Sequence, residues 1–186
     1  MNDINELLNE IIPPNDYQNR NGFGNENIIA SLSDSEKLEV EKRLIQMLNK
    51  NDDTLIGETL MILKSKTSLP ILRERLERAK KSSEKIIWAS FINEINSGDD
   101  EMKNIALKEF DNVTEKYTLL SIFHYLARFN DSRIKEKILS FTDHNDYLIA
   151  YNARTSIGID IKDLITREKR KRKRWWQFWK PHKASS

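Results

Sequence analysis

The chain carries three histidines, His124, His144 and His182, and no two of them stand at a spacing that would place both on one metal ion. There is no cysteine, which removes disulfides, thiolate metal sites and a cysteine nucleophile from consideration. None of the five glycines belongs to a phosphate-cradling loop or a nucleophile elbow. The acidic pairs Asp52-Asp53 and Asp99-Asp100 precede apolar runs. Negative charge is favoured there by the helix dipole, so they read as helix starts and not as a paired acid and base. His144-Asn145-Asp146 reads as a turn. The expectation is therefore a chain with no catalytic residues, no metal and no cofactor.

The densest chemistry lies at the carboxyl terminus. Arg170, Lys171, Arg172, Lys173 and Arg174 run directly into Trp175, Trp176, Phe178 and Trp179. Residues 167–186 hold nine Lys/Arg against one Glu, while residues 1–166 hold 22 against 28, so an acidic body carries a basic tail. Basic residues beside tryptophans suit an anionic membrane surface, where cations meet head groups and indoles settle at the interface. They equally suit a phosphate backbone with base stacking, or a groove on a partner protein. Folding of these aromatics back onto the body is the structural alternative.

The elements that must position these residues follow from a repeat. Shifted by 31 residues, the sequence aligns Asp52, Ser83, Thr114 and Asn145, all good helix N-caps. Behind them fall the columns Leu55, Ile86, Tyr117, Leu148; Ile56, Ile87, Thr118, Ile149; and Leu60, Phe91, Ile122, Ala153. Lys64, Ile95, Leu126 and Ile157 close each unit, with Leu63 serving for Lys64. Upstream, Ile45, Leu76, Leu107 and Ile138 align, as do Leu48, Ala79, Phe110 and Phe141. Spacings of three and four mark one helical face. Each unit thus predicts a first helix, near 34–49, 69–81, 100–111 and 131–142, and a second, near 53–65, 84–96, 115–129 and 146–157. Ser33 with Glu36 predicts a capping box, Ser68, Asp99 and Asn130 cap the later first helices, and Ser97-Gly98 and Gly158 mark C-caps. Residues 2–12 predict an amphipathic helix ended by Pro13-Pro14, and 15–27 a polar loop. A last helix begins near 160, with Ile161, Leu164 and Ile165 on one face. The division predicted is 1–32, an N-terminal helix and loop; 33–166, the repeat array; and 167–186, the tail.

The stretch Asp146-Tyr147-Leu148-Ile149-Ala150-Tyr151-Asn152-Ala153-Arg154-Thr155-Ser156-Ile157-Gly158 resembles the second helix of a HEAT-like repeat, and the 31-residue period is similar to the short bacterial members of that family. Thr59-Leu60 and Ser90-Phe91 depart from the family's alanine, and only the last unit keeps the terminal glycine. The resemblance covers about residues 33–160. It implies an all-α fold, a right-handed α-solenoid of four helical hairpins with capping helices at both ends. Such repeats serve scaffolds, bilin lyases, iron hydroxylases and DNA glycosylases alike, so the fold alone does not choose a role. The hydroxylases' His-Glu pairs do not occur here.

A solenoid presents equivalent positions as one extended surface. Second-helix positions opposite the core stripe include Glu58, Lys85, Asn93, Lys116, His124, Tyr147, Tyr151 and Arg154. Lys85, Lys116, His124, Tyr147, Tyr151 and Arg154 are the expected partner-binding residues, and Arg170–Arg174 with Trp175, Trp176, Phe178 and Trp179 the expected docking tail. The expectation is a monomeric, non-catalytic protein-interaction module of a bacterial cytoplasm, a toxin-immunity protein or a scaffold, peripheral to the inner membrane face if the tail docks there. The alternative is nucleic-acid binding through the tail. It ranks behind because the body is acidic.

Overall fold

The structure, a computed structural model, describes the backbone of residues 4–178 and the side chains of residues 4–171. Among the described residues the regular elements are twelve α-helices and one short 3-10 turn, with no strand. They are α1 (Ile4–Ile11), α2 (Tyr17–Arg20), α3 (Glu26–Ser31), α4 (Asp34–Leu48), α5 (Thr54–Ile62), α6 (Leu69–Arg78), α7 (Ser82–Ile95), α8 (Asp100–Phe110), α9 (Lys116–Ala127), α10 (Ser132–Leu139), α11 (Tyr147–Ser156) and α12 (Lys162–Phe178). The eight helices α4 to α11 fall where the 31-residue period places them. The chain divides into two compact units, Met1–Val113 and Thr114–Ser186, and the division lies between α8 and α9, inside the third expected hairpin.

In the first unit α7 packs against α5, α6 and α8. It buries Ile86, Trp88, Ala89, Phe91, Ile92 and Ile95, an almost all-round apolar surface that only a helix flanked on several sides can satisfy. Trp88 and Phe91 meet edge to face at 5.7 Å between ring centres. Gly57 of α5 lies under both rings, and a Cβ there would overlap Trp88. The amino-terminal segment is more ordered than its polar composition predicts. Residues 15–27, expected as a loop, include α2 and the start of α3. The Arg20 guanidinium donates to both carboxylate oxygens of Asp53 at 2.7 and 2.6 Å and to the Pro13 carbonyl. Buried Asn25 donates to the Ile11 carbonyl at 3.0 Å and to Thr59 Oγ1 at 2.7 Å. Leu7, Leu8 and Ile11 of α1 are buried along one face of the helix.

In the second unit α9 packs against α10 and α11, and α11 packs against α12. Ile122, Phe123 and Leu126 of α9 are buried, as are Ile134 and Ile138 of α10, Ile149, Ala150 and Ala153 of α11 and Leu164 of α12.

One column of the period is fully buried in each unit: Leu60 and Phe91 in the first and Ile122 and Ala153 in the second are 0% exposed. The column Gly57, Trp88, Leu119 and Ala150 is buried as well. The capping column differs from expectation by one residue. Asp53, Glu115 and Asp146 are the N-caps of α5, α9 and α11, in place of Asp52, Thr114 and Asn145. A carboxylate can take two orphan amides at once: Glu115 accepts from Tyr117 N at 3.0 Å and Thr118 N at 2.7 Å. Helix α7 starts earlier, and Lys81, not Ser83, stands at its N-cap. Asp131, and not Asn130, caps α10; Asn130 takes a left-handed φ of 48° after α9. Lys64 (φ 53°), Ser97 (57°) and Gly158 (73°) end α5, α7 and α11 in the same way. Ser65 N, Gly98 N and Ile159 N then reach back five residues to the carbonyls of Leu60, Asn93 and Arg154, the Schellman pattern. The Ser33–Glu36 capping box opens α4 as expected.

Candidate interaction surface

The amino-terminal ends of α9 and α11 are joined by an ion pair, Lys116 Nζ to Asp146 Oδ2 at 2.7 Å. Its hydrogen bond holds the Asp146 carboxyl below the usual aspartate range and raises the Lys116 ammonium above the usual lysine value. Asp146 meanwhile accepts from Leu148 N and Ile149 N, so one carboxylate both caps α11 and binds it to α9.

This pairing leaves matched positions of two packed helices open to solvent. Tyr117 and Leu148, members of one repeat column, are 70% and 42% exposed. His124 and Thr155, again 31 residues apart, are both exposed. Tyr147 and Tyr151 are half-buried, their rings 5.8 Å apart. Lys116 lies over the Tyr117 ring at 5.7 Å, and the His124 and Tyr125 rings lie with centres 3.8 Å apart, tilted by 39°. The result is an aromatic and aliphatic face bounded by an ion pair. Sequence reasoning placed Lys116, His124, Tyr147 and Tyr151 on it and missed Tyr117 and Leu148. Their column begins with Leu55 and Ile86, apolar residues that pointed to the core.

Arg154 does not belong to this face. It is 7% exposed and faces inward. Its Nε donates to the Thr142 carbonyl at 2.8 Å, Nη2 donates to Asp143 at 2.8 Å, and Nη1 donates to Asp163 and to the Asp160 carbonyl. The hydrogen bond to Asp163 comes first among the causes that raise its basicity and hold Asp163 low. Arg154 therefore fastens the loop before α11 and the start of α12. Asn93 is also buried, its side-chain oxygen accepting from Asp99 N at 2.9 Å.

Lys85 lies in the first unit. It reaches Glu109 of α8 at 2.8 Å, where Ser82 Oγ also donates, and the Lys85 hydrogen bond holds Glu109 below the usual glutamate range. It is thus a clasp between α7 and α8. In the tail, Arg170 and Lys171 are exposed on α12. The side chains of Arg172, Lys173, Arg174, Trp175, Trp176 and Phe178, and Trp179 entirely, lie outside the described residues.

Two grooves complete the surface. One of about 440 Å³ in the second unit is lined by Leu126, Asn130, Asp131, Lys135, Ile138 and Ile157, among others. One of about 370 Å³ in the first unit is lined by Asp52, Arg75, Arg78, Lys80, Lys81, Glu84 and Trp88, with Thr54 and Ala79. Among the described residues no three His, Asp or Glu side chains cluster as a metal site would need, and no helix is long and apolar enough to cross a membrane. Compared with family models, with curated proteins and with solved structures, the chain matches none.

Proposed function

We propose that the chain is a non-catalytic protein-interaction module, an α-solenoid of HEAT-like hairpins that engages a partner protein through the α9–α11 face. The observation that carries this reading is the exposure of Tyr117 and Leu148, apolar residues in a column whose earlier members, Leu55 and Ile86, are half-buried and buried. Large apolar side chains open to water in register on two adjoining helices are favoured by burial against something else. Tyrosine is among the types that dominate interface energetics, and the Lys116–Asp146 pair supplies the polar rim such a surface carries. A toxin-immunity protein or a scaffold of a bacterial cytoplasm are the roles this surface suits. The basic and tryptophan-rich tail serves as a second docking element, for the anionic inner face of a membrane or for the partner. Nucleic-acid binding through that tail is the competing use.

Affinity capture from the native cell tests this, with wild type and the Tyr117→Ser/Tyr151→Ser variant as paired baits. The reading expects a stoichiometric protein that wild type retains and the variant loses at an unchanged melting temperature. Equal retention by both baits would remove the α9–α11 face from the interaction.

A further inference from the structure

We propose that Asn21 is a site of spontaneous deamidation, converted through a cyclic imide to aspartate and isoaspartate, and that this change loosens the hold of the amino-terminal segment on α5. Asparagine is a chemically labile residue. Asn21 is the one asparagine of the chain that a glycine follows. The structure sets the pair at the two corners of a turn. Asn21 has φ −70° and ψ 110°, Gly22 has φ 73°, and Phe23 N donates to the Arg20 carbonyl at 3.2 Å. These are the angles of a type II turn, whose third position takes glycine because φ is positive there.

The reaction needs the Gly22 nitrogen to reach the Asn21 side-chain carbon, and the turn leaves that path open. The Gly22 N–H donates to none of the described residues, and a Cβ at Gly22 would meet nothing within 4 Å. The peptide between Asn21 and Gly22 is not the one that the closing bond holds, so it turns over while Phe23 stays joined to Arg20. The Asn21 side chain donates to the Tyr17 hydroxyl at 3.1 Å, and both residues are exposed. Once the Gly22 N–H has given its proton to water or hydroxide, the nitrogen bonds to Cγ. The Cγ–Nδ2 bond then breaks and ammonia leaves. Water opens the imide in one of two ways. Attack at Cγ restores the peptide and leaves aspartate; attack at the main-chain carbonyl carbon leaves isoaspartate, in which Cβ and Cγ carry the main chain. Asn96 precedes another small residue, Ser97, and there the path is shut. Ser97 N donates to the Glu94 carbonyl at 3.0 Å, and Asn96 Nδ2 donates to Asp99 Oδ2 at 2.9 Å.

The turn joins two holds on α5. Before it the Arg20 guanidinium grips Asp53, and after it buried Asn25 donates to Thr59 Oγ1. Isoaspartate adds one methylene to the main chain between them. Either product adds a negative charge beside Arg20, competing with Asp53 for that guanidinium. The unit that receives this charge is already acidic, with 15 Lys/Arg against 21 Asp/Glu in residues 1–113. An aged chain therefore holds α2 and α3 less firmly than a new one. The site lies in the first unit and does not depend on the tyrosine face of the second.

Ageing of the full chain at mildly alkaline pH tests the proposal, followed by peptide mass spectrometry that separates aspartate from isoaspartate. Both products should appear at position 21 at least about tenfold faster than any product at Asn96. The folded chain should react within about tenfold of a synthetic peptide of residues 17–25, because the turn does not lock the reacting peptide. Asn21→Gln lengthens the side chain, spoils the five-membered ring and should suppress the new acidic species. The isoaspartate fraction, isolated by ion exchange, should exchange its amide hydrogens over residues 17–31 about threefold faster or more than the intact chain, with exchange across α11 unchanged. Four results would each overturn the proposal: equal rates at Asn21 and Asn96, a folded chain more than about tenfold slower than the peptide, an acidic species undiminished in Asn21→Gln, or a modified fraction that exchanges over 17–31 as the intact chain does.

Discussion

A side chain at position 57 has nowhere to go. An added Cβ would overlap the Trp88 ring and stand 3.0 Å from two carbons of Phe91, and all three residues are buried. Gly57→Ala should therefore destabilise the chain by about 1–3 kcal/mol, the usual range for overpacking, despite alanine's better helix propensity. Denaturant unfolding followed by circular dichroism reads this directly, and an unchanged midpoint would show that the α5–α7 contact is looser than described. Arg154 makes the complementary case. Its carboxylate partners Asp143 and Asp163 are largely exposed, so solvent screens much of each pair. What its removal leaves unmet is chiefly the buried Thr142 carbonyl contact. Arg154→Ala should cost about 1–3 kcal/mol in stability, whereas Tyr151→Ala should change it by less than about 1 kcal/mol. The opposite ranking in thermal melts would return Arg154 to the binding surface. Position 154 was legible as interior: the period puts it in line with Met61, Ile92 and Phe123, all buried. Its charge, taken alone, pointed the other way.

Helices were the most legible level, because the 31-residue pattern recurs four times along the sequence and each copy corrects the others. Their starts were less so. Asp52-Asp53, Thr114-Glu115 and Asn145-Asp146 each offer two candidate caps, and in each pair the second residue serves. Side-chain preference at a single position favours Thr114 over Glu115 and does not separate Asp52 from Asp53 or Asn145 from Asp146. In the structure the carboxylates of Asp53, Glu115 and Asp146 are the groups that accept first-turn amides. The amino-terminal clamps were illegible for a different reason: Arg20–Asp53 and Asn25–Thr59 join residues more than thirty positions apart, and no local pattern announces them. Carboxylates at helix starts also govern the response to acid. Asp131, Asp146 and Asp163 are held below the ordinary aspartate value of 3.8, first by hydrogen bonds from Arg133, Lys116 and Arg154. A depressed folded-state value means the unfolded chain binds protons first as pH falls. This contribution is complete above the ordinary value and disappears as pH drops through the lower folded values. The melting temperature should thus fall below about pH 4. Asp146→Asn keeps a competent cap and removes the charge, so it should flatten part of that fall. An identical acid profile in wild type and variant would mean the Lys116–Asp146 pair is not formed in solution.

At the scale of the molecule, charge is sorted along the chain. The body's entire excess of acid lies in residues 1–113, residues 114–166 hold seven Lys/Arg and seven Asp/Glu, and the tail adds nine cations. A tail that docks at an anionic bilayer gains about 1 kcal/mol for each cation near the surface, before screening, and indoles add interfacial burial as the second signal. Co-sedimentation with anionic vesicles should fall both when Trp175, Trp176 and Trp179 become serine and when residues 169–174 become glutamine. Salt should weaken the tryptophan variant most. No binding by the intact chain at low salt would end the membrane reading, and salt-sensitive binding to duplex DNA in its place would favour the nucleic-acid one.

The claim on which the functional reading rests is that the α9–α11 face meets a protein. Photo-crosslinking in the native cell addresses it without presuming the partner. A benzophenone amino acid is placed in turn at Tyr117 and Leu148, and at exposed Leu38 of α4 as the comparison site. The account predicts one protein adduct of defined mass shared by positions 117 and 148 and absent at position 38. Adducts of equal yield at all three positions, or none at 117 and 148 in cells where the chain is folded, would contradict it.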